Sequence, residues 1–507
     1  MRLFSMNLGH ARARLVQAGA VFAAVALVAG CGSQYRPVVT PISPSGPAAQ
    51  PSSLAVVVSA PSPTTAGIAT IIDYSGDTVM ATAPIGPGPT NFTIDETGST
   101  GYTVNSDGTL TNFPVSTSLQ AKSVNYSTLP TTAQPVGLFA PSTGLWAADL
   151  DGSIADVLTL ASSGTMAFKL AIPVAPTPVA IYGPAVLGSR DYSISLNNSK
   201  TPTASIVKYS DMTCNTAPST ATQNGEADSL ELASYTVAAT IPLGKCPVYA
   251  VESSDYKRFF VLNRGSDTVT VINSQNNTLD ACTPFLNQSG QTVTCHPSLP
   301  LSTSAGLAQD ANKDVPMLAG PVYAEYNATT SQLVVADYDG GTISVIDVSL
   351  DEYGNDSQTF GTTFTIPVGK NPAGVTVLYD GSRAYTANQA DGTVSVVNLS
   401  SHSVEKTLTV VGHPRTVVST QNSSYGKVYV ASPDSPYLTV IQTGGTNPDI
   451  VDTTILVQGN VVDVRVTTQN GATGNVNVNS RRPGAGQPCY LPGSAAAATL
   501  TACQTLP

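Results

Sequence analysis

The sequence predicts an all-β protein whose main domain is a β-propeller of four-stranded antiparallel blades. Three observations lead to this fold. One phrase of thirteen residues returns along the chain, short runs rich in Val, Ile, Thr and Tyr flank its copies, and no sustained helical period follows the N-terminal leader. Four short strands repeated roughly every 40–50 residues are typical of propeller blades.

The repeated phrase aligns without a gap in four places, and the copy that begins at Tyr385 reads YTANQADGTVSVV. The residues at its fourth position are Asn263, Asp337, Asn388 and Ser432. Looser copies have Asn105, Asp149 and Asn197 at that position. The copies are 44 to 51 residues apart, except for two intervals of 66 and 74 residues. The longer intervals predict two insertions, which fall where Cys214 and the pair Cys282 and Cys295 lie.

The unit 370–412 shows how four strands fit into one copy. Its runs GVTVLY, RAYTAN, TVSVVNL and EKTLTVV are rich in β-forming residues and are separated by turn residues such as Asp380-Gly381. A second landmark separates the units: an apolar run, usually a Gly, then a Pro, as in FTIPVGKNP at 364–372. Gly and Pro end a strand and open a turn there.

The two landmarks divide the chain into seven whole units, near 87–130, 131–174, 175–244, 245–318, 319–369, 370–412 and 413–459. The N-terminal runs LAVVVSA, GIATIIDY and DTVMATAP predict the last three strands of an eighth unit, and NVVDVRVTT predicts its first strand. Pairing the two chain ends in one blade would close the ring and leave no unpaired edge. We therefore expect a propeller over 54–480 and a C-terminal tail over 481–507.

The units resemble the YVTN repeat of bacterial and archaeal surface proteins, through PVGKNPAGVTV, DGSRAYTAN and DGTVSVVN. The similarity is strong over 240–460 and looser over 84–200. The chain has Tyr385-Thr386-Ala387-Asn388 where the family has Tyr-Val-Thr-Asn. The resemblance implies a propeller that usually has seven blades, whereas the count of units favours eight.

The N-terminus predicts an exported protein. Arg2, Arg12 and Arg14 precede an apolar stretch that ends in Val28-Ala29-Gly30-Cys31, which resembles the lipobox of bacterial lipoproteins. The resemblance implies a signal peptide over 1–30, cleavage before Cys31 and acylation of its thiol. The alternative is an ordinary secretory signal that ends near a cysteine. The residue after Cys31 is not Asp, which by the same resemblance favours the outer membrane, with the periplasmic or surface side left open.

Composition limits the partners. Residues 31–53 hold five prolines among small polar residues and predict an extended tether. Without the leader's three arginines the chain has 19 basic and 33 acidic residues, a net charge of −14. Nucleic-acid binding is therefore not expected, because it requires a basic surface. An envelope protein, a peptide or a glycan remains possible as a partner.

Six cysteines follow Cys31, and an even number in an exported chain indicates disulfides. Six cysteines allow 15 pairings. The expected pairs join neighbours: Cys214–Cys246, Cys282–Cys295 and Cys489–Cys503. No CxxC pair, HExxH or CxxCH motif is present, so no metal or haem cofactor is expected.

In a propeller, the turn between the second and third strands shares one face with the crossing into the next blade. We therefore expect the repeated Asx residues and several cations at one mouth of the channel. The candidate binding residues are Asn263, Arg264, Asp337, Asn388, Lys245 and Lys370. Turn formation alone would also explain the repeated Asx, because Asn and Asp bond to their own backbone in turns.

Three functions are compatible with the sequence. The first is a membrane-anchored binding or envelope-structural module. The second is a hydrolase that resembles propeller-type lactonases, in which an acid or base and an oxyanion donor would converge on the channel. Its candidate residues are His413, Arg415, Glu252 and Glu325. The third is an accessory subunit of a periplasmic redox enzyme, which the lack of haem and copper motifs disfavours.

Overall fold

A computed structural model describes residues 53–467, apart from 96, 129–134, 141–143, 150–153, 161–163, 184–190, 197–213, 215–220, 232 and 302–318. The described chain forms eight four-stranded antiparallel sheets, which are the blades of a propeller. The count of eight is confirmed. Cys31, the tether and the tail with Cys489 and Cys503 lie outside the described residues.

Blade 1 is built from both ends of the described chain. From the axis outwards its strands are Asn460–Val466, Leu54–Ala60, Ala66–Asp73 and Thr78–Pro87. The C-terminal strand pairs antiparallel with the N-terminal one, with Val57 opposite Val464. The predicted closure of the ring is therefore confirmed.

The other blades each take four consecutive strands, starting with the innermost. Blade 2 contains Pro89–Ile94, Thr100–Asn105, Thr109–Pro114 and Asn125–Thr128. Blade 3 contains Pro135–Phe139, Gly144–Asp149, Ile154–Leu160 and Met166–Pro173. Blade 4 contains Pro178–Tyr182, Asp191–Ser195, Asn224–Glu231 and Thr236–Lys245. Blade 6 contains Pro321–Asn327, Gln332–Asp337, Thr342–Asp347 and Thr363–Pro367. Blade 7 contains Pro372–Val377, Arg383–Asn388, Thr393–Asn398 and Ser403–Thr409. Blade 8 contains Thr416–Ser419, Lys427–Ala431, Tyr437–Gln442 and Ile450–Leu456. A short 3₁₀ helix, Ala121–Ser123, precedes the last strand of blade 2.

Blade 5 has an interrupted outer strand. Its first three strands are Pro247–Glu252, Arg258–Asn263 and Thr268–Asn273. Two short pieces, Thr278–Leu279 and Ser298–Pro300, pair with opposite ends of the third strand. The insertion between them carries the hairpin Phe285–Leu286 and Thr292–Val293. The Cys282–Cys295 disulfide closes this insertion, and Cys214–Cys246 ties another insertion to blade 5, so both predicted pairs are confirmed.

Burial falls from the axis to the rim. In blade 7 every residue of the inner strand Pro372–Val377 is buried, whereas most residues of the outer strand Ser403–Thr409 are exposed. The inner strands contact one another around the ring, and each blade covers the apolar faces of its neighbours. A single blade has no core of its own, which explains why the chain repeats one unit.

Neighbouring blades are also joined by polar contacts. Tyrosine hydroxyls on second strands donate to Asx side chains in the outer turn of the next blade. The pairs are Tyr192 with Asn277, Tyr385 with Asp449, and Tyr429 with Asp77. Each of these Asx residues has a positive φ, between 51° and 58°. Asn and Asp tolerate this left-handed backbone better than most residues, which suits them to the position.

Candidate functional site

One register recurs where the chain enters each inner strand. A proline at the start of the first strand lies opposite the last residue of the second strand in six blades. The pairs are Pro89–Asn105, Pro135–Asp149, Pro178–Ser195, Pro247–Asn263, Pro321–Asp337 and Pro372–Asn388. Ser195, and not Asn197, therefore occupies the repeated position in blade 4. The crossings and the second-to-third-strand turns share one end of the ring, here called the turn face.

The Asx of the repeated phrase is fully buried and fastens a hairpin. In blade 7, Asn388 Nδ2 donates to Thr393 Oγ1 at 3.1 Å and to Ser395 Oγ at 2.9 Å on the third strand. Asn105 in blade 2 and Asn263 in blade 5 make equivalent pairs of bonds. None of the three has a positive φ. The side chain thus acts inside the blade.

Blade 6 has a carboxyl group at this position. Asp337 Oδ2 accepts hydrogen bonds from Thr342 Oγ1 at 3.1 Å and Ser344 Oγ at 2.7 Å. Burial raises the pKa of Asp337 to about 8, although the two hydroxyl bonds lower it. A carboxyl group that keeps its proton at neutral pH has nearly the shape of an asparagine amide. Asp337 can therefore replace Asn without changing the hairpin.

The glycine of the second landmark packs on the same Asx side chain. A Cβ built on Gly369 would lie 2.6 Å from Cγ of Asn388, and one on Gly86 would overlap the amide of Asn105. Carbon atoms in favourable contact are roughly 3.5–4.0 Å apart. The two landmarks lie 19 residues apart in sequence and interlock in the fold. This contact explains why glycine recurs at that point of the repeat.

Two of the expected cations on the turn face are paired with acids. Arg264 donates from Nε and Nη2 to both carboxylate oxygens of Asp339, at 2.9 and 2.8 Å. Its guanidinium also lies 5.3 Å from the ring centre of Tyr338. His413 Nδ1 lies 2.6 Å from Asp434 Oδ2. Such pairs reduce the cationic character that the sequence predicts for this mouth.

The remaining cations differ in exposure. Lys370 is exposed, and its backbone N–H donates to Asp391 at 2.7 Å. Lys245 is half-buried, and its N–H donates to Ser266 Oγ at 3.1 Å. Arg415 is buried at the start of blade 8, where it interacts electrostatically with Tyr338 of blade 6. Arg415 therefore lies close to another blade near the channel, whereas Lys370 faces solvent.

A small cavity of about 150 Å³ opens at this mouth between blades 1, 2 and 8. Its lining includes the starts of two inner strands and four prolines, and the lining residues are Ala60, Pro61, Ser62, Pro63, Pro89, Thr90, Pro433, Asn460, Val461 and Val462. Pro433 of the lining precedes Asp434 in the chain, which is paired with His413. The cavity is smaller than the roughly 300–1,000 Å³ of typical small-molecule sites.

The channel holds an ion pair that blade 1 contributes. Arg465 donates from Nε and Nη2 to Asp463 Oδ2 at 3.1 and 3.0 Å, and both residues are buried. The guanidinium interacts electrostatically with Tyr323 and Tyr249 of blades 6 and 5, across the ring from blade 1. The two tyrosine rings lie 4.5 Å apart. Arg465, Tyr249 and Tyr323 all belong to inner strands, which surround the channel.

Glu325 is the titratable group of the channel best suited to proton transfer. It is half-buried on the inner strand of blade 6, and it accepts hydrogen bonds from Val377 N at 2.9 Å and Gln421 Nε2 at 3.3 Å. Burial raises the pKa of Glu325 to about 7, against these hydrogen bonds. General acids and bases are most effective when their pKa lies near the working pH.

Glu252, the last residue of blade 5's inner strand, lies at the other end of the channel wall. Burial raises its pKa to about 8. Asp191 of blade 4 is fully buried, and its pKa is raised well above the ordinary range by burial and by Glu252. The pKa of Glu252 is raised further by the charge of Asp255. This placement favours a structural, protonated role for Glu252 over contact with a ligand.

Within the described ranges, no group of three or more His, Cys, Asp or Glu side chains is arranged to hold a metal ion. The expectation that no metal or cofactor is needed stays a prediction. None of the helices that the structure describes has the length and apolar character required to cross a membrane.

Some features of the site had weak sequence signals. The residue before the landmark proline has a positive φ in five blades: Gly88, Thr177, Cys246, Gly320 and Asn371. The repeated phrase predicts the turn-forming role for its Asx, whereas the left-handed residue is the one before the proline. The alternation in VDVRV places Asp463 and Arg465 on one face of a strand, a signal for the channel ion pair.

Comparisons with known proteins show the fold alone. No protein-family model matches the chain, and no curated protein matches it in sequence. AztD from Citrobacter koseri is similar in structure, with a TM-score of 0.52, 12% identity and coverage of 82% of this chain and 97% of AztD. A candidate 6-phosphogluconolactonase from Bacteroides fragilis has a TM-score of 0.47 and 14% identity over 83% of this chain and 99% of its own. The dihydro-heme d1 dehydrogenase NirN has a TM-score of 0.46 and 14% identity over 85% of this chain and 78% of its own.

Proposed function

We propose that the mature chain is a lipid-anchored extracytoplasmic binding module that recognises a protein or peptide of the cell envelope at the turn-face mouth. The cavity at this mouth carries the proposal. Its volume of about 150 Å³ suits one inserted side chain better than a whole small molecule. Apolar anchors that fill such pockets dominate many protein interfaces.

The surroundings of the cavity support the same proposal. Prolines 61, 63, 89 and 433 give it rigid apolar walls. Asp434, next to Pro433 in the chain, and its partner His413, with the exposed Lys370 further along the face, offer charged groups to a partner's backbone or side chains. The buried Asx residues predicted to bind, Asn263, Asp337 and Asn388, would support this face from below. The binding role of Arg264 and Lys245 would be at the periphery of the mouth.

Site-specific photo-crosslinking tests the proposed interface. A benzoyl-phenylalanine replaces Asn460, which is exposed and lines the cavity, in cells that produce the full chain. We expect a discrete, protease-sensitive adduct. The matched position is Asn276, an exposed residue in the outer turn of blade 5, where no adduct of that size should form. Equal adducts at both positions, or none at Asn460, would refute the mouth as the interface.

The anchor has a separate test. The Cys31→Ser variant should lose palmitate labelling and leave the membrane fraction, because the lipobox-like sequence provides the only thiol at the expected cleavage site. Continued labelling or membrane retention would contradict the lipoprotein assignment. Fractionation of the wild-type protein between inner and outer membranes tests the expected location.

A lactonase-like hydrolase is the second candidate, and the raised pKa of Glu325 is the observation that favours it. Glu325 would act as the general base toward a water molecule, with the buried Arg415 as a candidate oxyanion partner and His413 at the mouth. A screen with δ-gluconolactone should then show a rate that rises through pH 7. Glu325→Gln should lower kcat by roughly 10²–10⁴-fold. No hydrolysis above the buffer rate would exclude this activity for that lactone.

A further inference from the structure

A larger cleft opens between blades 7 and 8 at the end of the ring opposite the turn face, here called the loop face. Its volume is about 560 Å³, within the roughly 300–1,000 Å³ of typical small-molecule sites. The cleft is lined by loops at the lower ends of both blades, and its residues are Ser382, Arg383, Asn398, Glu405, Ser423, Ser424, Thr443, Gly444, Gly445, Pro448 and Asp449.

The floor of this cleft is a fixed ion pair. Arg383 Nη1 donates to both carboxylate oxygens of Asp449 at 2.5 Å, and Nη2 donates to the backbone oxygen of Ser423 at 3.1 Å. The hydroxyl of the buried Tyr385 donates to the same carboxylate. These contacts hold the guanidinium and the carboxylate in place before any ligand arrives, which lowers the entropic cost of binding.

The lining disfavours an anionic or an apolar ligand. The charge of Arg383 is balanced by Asp449, and Glu405 adds a further negative charge, so an anion would be repelled. Pro448 is the one apolar side chain in the lining, so an apolar ligand would bury little apolar surface there. Among anionic, apolar and neutral polar ligands, the neutral polar class fits this lining best.

Donors and acceptors alternate along the cleft. Asn398 Nδ2 donates to Glu405 Oε1 at 2.8 Å, which orients an exposed carboxylate toward the opening. Hydroxyls of Ser424 and Thr443 belong to the opposite wall, next to the chain at Gly444 and Gly445. A sugar hydroxyl both donates and accepts, so vicinal hydroxyls match carboxylate oxygens beside amide and guanidinium donors.

We propose that the blade 7–8 cleft binds a neutral oligosaccharide, at a site separate from the turn-face mouth. The ion pair orients the first sugar ring, and Glu405 accepts from two adjacent hydroxyls. Gly444 lies against the backbone of Ser424, where a Cβ would come within 1.8 Å of the Ser424 oxygen, so the two segments of that wall pack closely together. This site does not depend on the protein or peptide interface proposed above.

Saturation-transfer NMR on the detergent-solubilised full chain tests the site, with chitotriose and maltotriose as probes and trialanine as a peptide comparison. Ser424→Tyr places a bulky side chain in the cleft at an exposed position, so the fold should be kept. Ser118→Tyr, at an exposed position of blade 2, is the matched control. We expect saturation of at least one trisaccharide, weakened at least tenfold by Ser424→Tyr and unchanged by Ser118→Tyr.

The other results would overturn the proposal. They are an absence of saturation of both sugars, transfer that Ser424→Tyr leaves unchanged, or transfer to trialanine instead of the sugars. The crosslink at Asn460 tests the turn-face mouth, whereas the NMR experiment tests the blade 7–8 cleft. A negative result in one experiment therefore does not affect the other proposal.

Discussion

The hydroxyl of Tyr385 in blade 7 donates a hydrogen bond to the carboxylate of Asp449 in blade 8. Tyr385 is the first residue of the phrase YTANQADGTVSVV, and Asp449 follows it by 64 residues. Arg383 holds the same carboxylate from the strand that carries Tyr385. One acid thus joins two blades, fixes a left-handed turn and forms the floor of the blade 7–8 cleft.

Removing this hydroxyl should weaken the fold. Tyr385→Phe deletes one of the partners of a buried carboxylate, and such a loss costs roughly 1–3 kcal/mol. Urea unfolding at pH 7, followed by circular dichroism, measures the change. Tyr425→Phe is the control, because Tyr425 is 81% exposed. A Tyr385→Phe midpoint equal to that of the control would show that Asp449 is sufficiently bonded by Arg383 alone.

Asp337 makes the stability of blade 6 depend on pH. Its pKa is about 8 in the fold and near 3.8 in the unfolded chain, so between these values the folded state keeps a proton that the unfolded state has lost. Wild-type stability should therefore fall by about 1.4 kcal/mol per pH unit from this group as pH rises through the window. Above pH 8 the contribution levels off. Asp267 faces the same group and raises its pKa further.

Asp337→Asn removes this titration while keeping the hairpin of blades 2, 5 and 7. We expect the variant and the wild type to be equally stable below pH 4, and the variant to be more stable at pH 7 and above. Thermal unfolding from below pH 4 to pH 9 measures the difference in stability between the variant and the wild type. Glu352→Gln, at an exposed position, should show no such divergence. If the difference in stability between Asp337→Asn and the wild type is the same at every pH, Asp337 does not keep its proton in the folded state.

The fold could be predicted because its information is local and repeated. Each unit carries its own strands and turn residues. The N-terminal end has three strands of a unit and the C-terminal end has one, so pairing the two ends completes a blade. The confirmed disulfides follow the same logic, since Cys282 and Cys295 lie only 13 residues apart. The position of the Asx was also predictable, because strand order places every second-to-third-strand turn on one face.

The contacts between blades were not predictable in this way. Tyr385 and Asp449, or Arg465 and Tyr249, belong to different units, and no sequence period relates them. The volume of a cavity depends on how loops from several blades pack, so neither the mouth cavity nor the blade 7–8 cleft has a sequence signal. The pairing of Arg264 with Asp339 likewise depends on the distance between two turns, which the repeat leaves undetermined.

The two disulfides should open in a fixed order under mild reduction. Cys282 is exposed in an insertion, whereas Cys246 is fully buried and Cys214 nearly so. The Cys282–Cys295 bond should therefore be reduced first, with the propeller still folded. Graded dithiothreitol, alkylation and peptide mass spectrometry identify the order. Earlier labelling of Cys214 and Cys246 would contradict it.

The stabilising effects should differ as well. Cys214–Cys246 spans 32 residues and Cys282–Cys295 spans 13, and longer closed loops stabilise more, at about 3 kcal/mol for 15 residues. The double variant Cys214→Ser/Cys246→Ser should lose more stability to urea than Cys282→Ser/Cys295→Ser. The reverse ranking would mean that the insertion of blade 5 contributes to the core of the propeller.

The interlock of the two landmarks predicts a coupled pair of substitutions in blade 2. Gly86→Ala places a methyl group against the amide of Asn105, and overpacking of this kind costs roughly 1–3 kcal/mol. The contacts of that methyl group are with the amide atoms, so Asn105→Ala should relieve the clash while losing the bonds to Thr109 and Thr111. The double variant should then be more stable than the sum of the single effects allows.

Gly76→Ala is the matched control for this cycle, because a Cβ there would meet only the hydroxyl of Thr78, at 3.3 Å, and a carboxylate oxygen of Asp73, at 3.9 Å. Its effect on urea unfolding should be small and should simply add to that of Asn105→Ala. If Gly86→Ala and Asn105→Ala are instead additive, the contact with the Asn105 amide is not the reason for glycine at this position. A non-additive cycle would show that glycine recurs in the repeat because the buried Asx occupies the space beside it.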